Sequence, residues 1–281
     1  MEKVYKHWQS TPPITRASDS HRNPLLAVRD CVKMSSVAEV KQGYELFDPR
    51  AYLQNNYTHP RANFESEDCV VPWKLRCLVR GRTLLDIGSG PTIYQVISAC
   101  EHFEEIILSD YLEVNRQELS KWLHGEPDAF DWSPYLKYPP TRGDSKAERL
   151  RQKVKGVWRC DVQQPNPLHP ASLGPVDAIT TTFCLEAVSA DKRSLESALA
   201  NVTTLLVPGG FLLMIGALDE SYYLAGQVRI PVLPVDEEYV KQAVTGAGYR
   251  IRVFQTYIMP AGLKIGVDDV RGVFYLQAQK L

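Results

Sequence analysis

The middle of this chain alternates between strand-length apolar runs and helical patterns. Runs rich in β-branched residues, each bounded by turn or helix signals, cover residues 83–87, 105–110, 156–161 and 176–183. A fifth run, 211–215, follows a helical stripe from Leu195 to Leu206 that we expect to stop at Pro208-Gly209-Gly210. Strands alternating with helices form a parallel sheet with helices on both faces. The sequence therefore predicts a doubly wound α/β fold.

The C-terminal part departs from this alternation. Two strand patterns, 249–254 and 272–278, flank a long loop and predict an antiparallel pair at the edge of a mostly parallel, seven-stranded sheet. Residues 131–151 combine three prolines with a run of charges, so we expect them to form a surface insertion.

The N-terminal part shows little periodicity. Residues 1–43 contain Pro12, Pro13 and Pro24 among many Ser, Thr and Asn residues, and we expect a mobile N-terminal extension. Residues 44–281 then form a single domain, which begins with a helical lid over 44–80.

Composition excludes several classes of protein. Hydrophobic residues make up 44% and charged residues 23%, which is globular rather than disordered. The net charge of -1 argues against nucleic acid as a partner, because phosphate binding normally leaves a basic excess. Six scattered cysteines without a Cys-x-x-Cys or Cys/His cluster favour a reducing cytoplasmic location and no structural metal. No apolar run approaches the roughly 18 residues that span a bilayer, so no membrane association is expected.

A glycine loop follows the first predicted strand. The segment Asp86-Ile87-Gly88-Ser89-Gly90 ends that strand and opens a helix, at the sheet edge where ligands bind in open α/β folds. The glycines let a ligand approach the backbone closely. Asp110 ends the second strand, at the spacing from Gly90 where a carboxylate accepts hydrogen bonds from ribose hydroxyls.

Two cofactors compete for this loop. A dinucleotide fold requires a third glycine, but Ile93 stands at that place and Pro91 lies inside the loop, so a nicotinamide-dependent oxidoreductase is the weaker reading. The acids Asp86, Asp110 and Asp161, with the Pro-Gly-Gly before strand five, resemble the S-adenosylmethionine-dependent methyltransferase fold. That cofactor carries a cationic sulfonium and no phosphate, which suits acids.

Further acids lie at the same edge of the predicted sheet. Glu186 follows strand four, Glu220 follows strand five, and Asp268 precedes the last strand. Each has an ordinary alternative: Glu186 could open a helix, where the dipole favours an acid by about 0.3–1 kcal/mol. Asp268 and Asp269 could form an exposed turn, and they are poor evidence for a metal site.

Long motifs carry a resemblance to a known family. They are FDPRAYL (47–53), NNY (55–57), DIGSGPTIYQ (86–95), FCLEAV (183–188), IGAL (215–218) and TYIMPA (256–261). From about Tyr44 to Leu281 the chain resembles the nicotinamide, phenylethanolamine and indolethylamine N-methyltransferases. The resemblance implies the class I S-adenosylmethionine-dependent methyltransferase fold. Separately, nothing in the sequence indicates an obligate partner, so we expect a functional monomer. The resemblance also implies methyl transfer to the amine nitrogen of a small arylethanolamine, of the phenylethanolamine or noradrenaline type, giving a product such as adrenaline. Tryptamine or nicotinamide is the alternative substrate, and a catalytically silent binding module the alternative role.

The same resemblance assigns residues. It implies that S-adenosylmethionine is surrounded by Tyr52, Tyr57, Gly88, Ser89, Gly90, Tyr94, Asp110, Tyr111, Asn115, Asp161, Val162 and Thr182. It makes Glu186, Glu220 and Asp268 the catalytic acids around the amine. The candidate substrate-binding residues are Tyr44, Asn56, Lys74, Phe183, Tyr223, Met259 and Val270.

The chemistry explains why acids are needed. An aliphatic ammonium resembles Lys, with a pKa of about 10.4, so the substrate arrives charged and has no lone pair with which to attack. Carboxylates attract the cation, and one within reach of the nitrogen can accept its proton. We expect Glu186 and Glu220 to hold and relay this proton, and Asp268 to fix the amine or a β-hydroxyl.

Overall fold

A seven-stranded sheet, with five parallel strands and an antiparallel edge, forms the centre of the chain. The computed structural model describes residues 36–59, 61–62, 79–137 and 146–281. All of these belong to one unit, Met34–Leu281. The predicted fold class is confirmed.

The strands of the sheet are β1 (Gly81–Ile87), β2 (Phe103–Asp110), β3 (Val154–Arg159), β4 (Val176–Thr182), β5 (Leu206–Leu218), β8 (Tyr249–Ile258) and β9 (Gly272–Lys280). They lie in the order β3-β2-β1-β4-β5-β9-β8. Strands β1 to β5 pair in parallel, whereas β9 lies antiparallel between β5 and β8. A separate antiparallel hairpin, β6 (Tyr222–Ala225) and β7 (Val228–Pro231), was not predicted.

Helices fill the connections. They are α1 (Val37–Glu45), α2 (Pro49–Tyr57), α3 (Tyr94–Ile97), α4 (Glu113–His124), α5 (Ser133–Leu136), α6 (Lys146–Lys153), α7 (Lys192–Thr203) and α8 (Glu237–Gly246). Single 3₁₀ turns cover Ala99–Glu101 and Ala261–Leu263. Among the described residues, no helix combines the length and apolar character needed to cross a bilayer.

The strands present apolar side chains to both faces of the sheet. In β1, Leu84 belongs to one buried cluster and its neighbour Leu85 to another. In β4, Ala178 and Ile179 divide in the same way. Successive side chains of a strand point to opposite faces, so near-continuous apolar strands require a helical layer on each side.

The boundary between α7 and β5 differs from the prediction. Leu206 continues the apolar stripe of α7, yet the helix ends at Thr203 and Leu206 pairs with Val176 in the sheet. Pro208-Gly209-Gly210 lies inside β5, where Gly209 has a φ of 78° and the β4–β5 register shifts. Helical spacing over this short run could not distinguish a helix end from a strand start.

Residues 131–151 are not simply a surface insertion. Trp132, Tyr135 and Leu150 are buried in the main core, and the Tyr135 hydroxyl donates to the Tyr57 carbonyl over 3.2 Å. Pro134 does not break α5, because it occupies the first turn, where its missing N–H has no partner to lose. Residues 138–145 lie outside the described part of the chain.

Two capped helices open the domain. Ser36 and Glu39 form a capping box at the start of α1, so the predicted boundary at residue 44 falls inside a helix. Asp48 caps α2 by accepting hydrogen bonds from the backbone N–H groups of Arg50 and Ala51. Arg50 also pairs with Glu118 of α4 at 2.7 Å, which ties α2 to the main domain. Mobility of the extension stays a prediction, since residues 1–35 lie outside the described residues, as does most of 60–78.

Candidate active site

The carboxyl ends of β1 to β4 bring together the predicted cofactor residues. Since parallel neighbours end at one edge, the loop after β1 lies beside Asp110 at the end of β2. The end of β4 contributes Thr182, and the residues after β3 contribute Asp161 and Val162. The strand-end positions predicted from the sequence therefore share one edge of the sheet.

The glycine loop is held in a conformation that side chains resist. Gly88 and Gly90 have φ values of 68° and 59°. A Cβ on Gly88 would lie 2.2 Å from the Cys184 sulfur, whereas Gly90 faces open space. The Gly90 N–H donates to Asp110 Oδ2 over 2.8 Å. Glycine is required here for both backbone angle and space.

A buried polar network supports the loop from below. Asp86 Oδ2 accepts hydrogen bonds from the Ser89 hydroxyl at 2.6 Å and from Gln95 Nε2 at 2.8 Å. Burial raises the pKa of the Asp86 carboxyl to about 7, although both hydrogen bonds act to lower it. Asp86 Oδ1 has no partner among the described residues.

Buried oxygen atoms without hydrogen-bond partners among the described residues lie at this edge of the sheet and fit a polar cofactor. Besides Asp86 Oδ1, the buried atoms Asn115 Oδ1 and Thr182 Oγ1 lack hydrogen-bond partners in the described part of the chain. An unsatisfied buried polar group costs about 1–3 kcal/mol, so a ligand with hydroxyl and ammonium groups fits the arrangement. Tyr111 stays half exposed at the rim, with Arg159 over its ring.

Three predicted cofactor tyrosines pack against one another, with edge-on or tilted rings. Tyr52 and Tyr57 project from α2, with ring centroids 5.7 Å apart and their hydroxyls 3.4 Å apart. Tyr57 lies 5.1 Å from Tyr94 of α3. Burial raises the pKa of Tyr52 to about 12, so it remains a neutral donor and acceptor.

Next to these tyrosines is a cavity of about 600 Å³, counting its open mouth. It is lined by Tyr52, Asn56, Tyr57, Arg61, Phe183, Glu186, Ala187, Glu220, Tyr223, Met259, Asp268, Val270 and Val273. All three predicted catalytic acids are therefore in one cavity with five predicted substrate residues. Tyr44 lies behind it, donating to the Ala187 carbonyl over 3.3 Å, and Lys74 falls outside the described residues.

Glu186 is almost completely buried between β4 and β5. Its Oε1 accepts a hydrogen bond from the Ala217 N–H over 2.9 Å, and its Oε2 has no partner among the described residues. Gly216 permits this approach, because a Cβ there would lie 2.8 Å from Oε1. Desolvation raises the pKa of Glu186 to about 7, so its charge changes near neutral pH.

Glu220 follows β5 and is also buried. Desolvation and then the neighbouring charges of Asp268 and Glu186 raise its pKa well above the usual range. Neither Glu186 nor Glu220 has an ion-pair partner among the described residues. Arg61 in the same cavity acts to lower the pKa of Glu220, but desolvation is the larger effect, so both carboxyl groups favour their neutral forms. The cavity is thus prepared to stabilise an incoming positive charge.

Asp268 is different, because it is paired with a cation. Arg61 donates from Nη1 and Nη2 to its two carboxylate oxygens, at 2.6 and 2.9 Å. The sequence patterns did not point to Arg61, nor to Ala187 and Val273 in the cavity wall. An isolated arginine soon after the NNY motif was the only local signal.

Backbone strain is also located here. Phe183 has a φ of 50° directly after β4 and lines the cavity. Such a conformation costs a bulky residue on the order of 1–3 kcal/mol and persists where surrounding contacts fix it, as at ligand sites. The Phe183 N–H bonds the Ile215 carbonyl at 2.8 Å, which holds the ring at the cavity.

Comparison with known proteins shows the family of this chain. The family model described as the NNMT/PNMT/TEMT family covers residues 35–281. The chain belongs to this family. The resemblance predicted from the motifs is confirmed.

Individual relatives in the family differ in similarity. The chain is 53% identical to phenylethanolamine N-methyltransferase of Macaca mulatta over 264 residues, covering 88% of this chain and 93% of the relative. It is 42% identical to nicotinamide N-methyltransferase of Homo sapiens over 249 residues, covering 84% and 93%. A solved S-adenosylmethionine-dependent methyltransferase from Methanosarcina mazei shares the fold, with a TM-score of 0.51, 16% identity and coverage of 73% and 94%.

The raised pKa of Glu186 predicts how stability depends on pH. Because the folded state binds the Glu186 proton more tightly than the unfolded chain, this group favours folding below pH 4.5, and the benefit is lost as pH rises to about 7. We expect Glu186→Gln to raise the free energy of unfolding relative to wild type by about 1–3 kcal/mol at pH 8 and much less at pH 5.

Urea unfolding at the two pH values measures this difference. Exposed Glu104→Gln is the matched control and should behave like wild type at both. A Glu186→Gln difference that is equal at pH 5 and pH 8 would contradict the assignment.

Proposed function

We propose that this chain is an S-adenosylmethionine-dependent N-methyltransferase that methylates the amine nitrogen of a small arylethanolamine of the phenylethanolamine type. The observation that carries this conclusion is the cavity, where three carboxyl groups and an aromatic wall meet beside the predicted cofactor residues Tyr52 and Tyr57. Family membership and relatives at 53% identity confirm the reaction class and the methyl donor predicted from the sequence, and the name of those relatives, phenylethanolamine N-methyltransferase, supports the substrate class.

S-adenosylmethionine supplies a methyl group on a cationic sulfur. We assign its ribose hydroxyls to Asp110, whose carboxylate already accepts hydrogen bonds from Gly90 and Leu112 and is buried. The loop Gly88-Ser89-Gly90 gives close backbone approach, and Asp86 below it offers an unpartnered acceptor. Tyr52 and Tyr57 cover the cofactor side and also line the amine cavity, which supports direct contact between the two compartments.

The amine enters as a cation. Glu220 provides the complementary charge, because an ammonium beside it lowers the pKa that burial and neighbouring acids raise. Two unit charges about 4 Å apart interact by roughly 4 kcal/mol at an effective dielectric of 20. This attraction offsets repulsion from the sulfonium and draws the nitrogen into the cavity.

Glu186 is the better base. Its free Oε2 and its pKa of about 7 let it accept a proton near neutral pH, directly or through one water. The backbone bond from Ala217 fixes its other oxygen, so the acceptor is oriented before substrate arrives. Phe183, Tyr223, Met259 and Val270 supply the wall for the aromatic ring. Holding the nitrogen and methyl group in line then removes much of the entropic barrier.

A nicotinamide substrate explains less of the site. Its ring nitrogen is a neutral nucleophile and needs no base, so the three acids would have no function. The lower identity to nicotinamide N-methyltransferase agrees with this.

The substrate class is tested with a labelled methyl donor and four acceptors: phenylethanolamine, phenylethylamine, tryptamine and nicotinamide. We expect the highest kcat/KM for phenylethanolamine, because it carries both an amine and a hydroxyl for the acids. A preference for nicotinamide would reject the proposal, and transfer to none of the four would reject the activity.

The role of Glu186 is tested by kinetics. Glu186→Gln should lower kcat by about 10²–10⁴, the range contributed by a general base, while the affinity for the methyl donor stays close to wild type. Asp219→Asn is the matched control, since Asp219 is exposed, pairs with Arg271 and does not line the cavity. An unchanged kcat for Glu186→Gln excludes it as the base.

We further propose that the enzyme acts as a monomer in the cytoplasm. All the described cysteines, Cys100, Cys160 and Cys184, are free and buried, which fits a reducing compartment. The described cavity brings together the three predicted acids and five predicted substrate residues within one chain, which supports a site that needs no residue from a second copy. Light scattering at assay concentration should give a mass near 31.7 kDa, and twice that mass would overturn the monomer.

A further inference from the structure

Arg61 joins two parts of the chain that both line the cavity. It follows α2, and its guanidinium reaches the segment between β8 and β9. There it makes the two bonds to Asp268 and a third, from Nη2 to the Leu263 carbonyl at 3.3 Å. The carboxylate is thus held by a fork that fixes its plane as well as its charge.

The pair is largely removed from water. The side chain of Arg61 is 12% exposed and that of Asp268 is 5% exposed, and both line the cavity. Removing one partner of such a pair leaves an uncompensated buried charge. The backbone of Asp268 is fixed as well, by a bridge to Tyr223 and by the Leu224 N–H bond to the Val267 carbonyl.

The fork leaves Asp268 able to accept further hydrogen bonds. A carboxylate offers about four lone-pair positions, and the two Arg61 bonds use one on each oxygen. Its charge is compensated, however, so a neutral donor suits it better than a second cation. Glu186 and Glu220 have no ion-pair partner among the described residues, and an ammonium is drawn to them instead.

Resting on the proposed function, we propose that Arg61 is a positioning residue that sets the preference for a β-hydroxylated amine, by orienting Asp268 to accept the substrate hydroxyl. Arginine is required because a lysine ammonium is a point charge and cannot hold both oxygens in one plane. Arg61 would thus favour substrates that carry the hydroxyl group, without contacting that hydroxyl itself.

The test compares two substrates that differ only in the hydroxyl. The selectivity ratio is kcat/KM for phenylethanolamine divided by kcat/KM for phenylethylamine. It is measured for wild type, Arg61→Gln, Arg61→Lys, Asp268→Asn and the Arg61→Gln/Asp268→Asn double variant. Arg50→Gln is the matched control, because Arg50 lies on α2 and pairs with Glu118 away from the cavity. Calorimetry with S-adenosylmethionine shows that each variant is folded.

Arg61→Gln should lower the selectivity ratio by about tenfold, the scale of one hydrogen bond to a charged group. The loss should appear as a higher KM for phenylethanolamine, with kcat and cofactor affinity within about threefold of wild type. Arg61→Lys should also lower the ratio, and Arg50→Gln should leave it unchanged. Because Arg61 acts through Asp268, the double variant should match Asp268→Asn within about twofold.

The double variant also removes both buried charges, so it gives a result even where Arg61→Gln alone fails to fold. The inference is overturned if Arg61→Gln and Arg61→Lys keep the wild-type ratio, because kcat/KM is then unchanged or falls by the same factor for both substrates. It is also overturned if the effects of Arg61→Gln and Asp268→Asn on the ratio multiply in the double variant. Wild-type enzyme that methylates neither amine would refute the proposed function itself, which distinguishes the two failures.

Discussion

Desolvation of carboxyl groups at one edge of the sheet is the constraint on which the site depends. Glu186 and Glu220 are buried with no ion-pair partner among the described residues, and burial is the largest cause of the raised pKa of each. Such burial costs folding free energy at neutral pH, because the charged forms are disfavoured. A cationic substrate relieves that cost. The folded protein therefore already carries the cost of desolvating these carboxyl groups, and an ammonium binds more favourably because its charge offsets that cost.

The third acid shows that negative charge alone does not define the cavity. Asp268 faces the same space but is compensated by Arg61, so the cavity contains a region that favours a cation and a region that favours a neutral donor. A set of three equivalent carboxylates would bind any small amine. Among the described residues Asp268 has an ion-pair partner, whereas Glu186 and Glu220 have none. These neighbouring acids therefore favour different groups of one substrate molecule.

The sequence predicted those parts of the structure that follow from local pattern. The alternation of apolar strand patterns with helical patterns predicted the sheet. Acids and glycines at the strand ends predicted the edge of the sheet where Gly88, Asp110 and Glu186 lie. Some sequence patterns fitted more than one structure. Leu206 was predicted to belong to a helix but lies in β5, and Trp132 was predicted to lie in a surface insertion but is buried. Arg61 was missed for another reason: its partner lies 207 positions away, and no spacing rule connects two residues that meet only in the folded chain.

The position of β9 has a consequence for synthesis of the protein on the ribosome. This strand lies between β5 and β8, although both precede it in the chain, and Asp268 and Val270 come just before it. Until β9 has emerged, the nascent chain exposes the unpaired edge of β5 and has no wall on that side of the cavity. Insertion of β9 therefore completes the sheet and this wall of the cavity in the same event, and a chain that lacks β9 exposes the edge of β5, which favours aggregation.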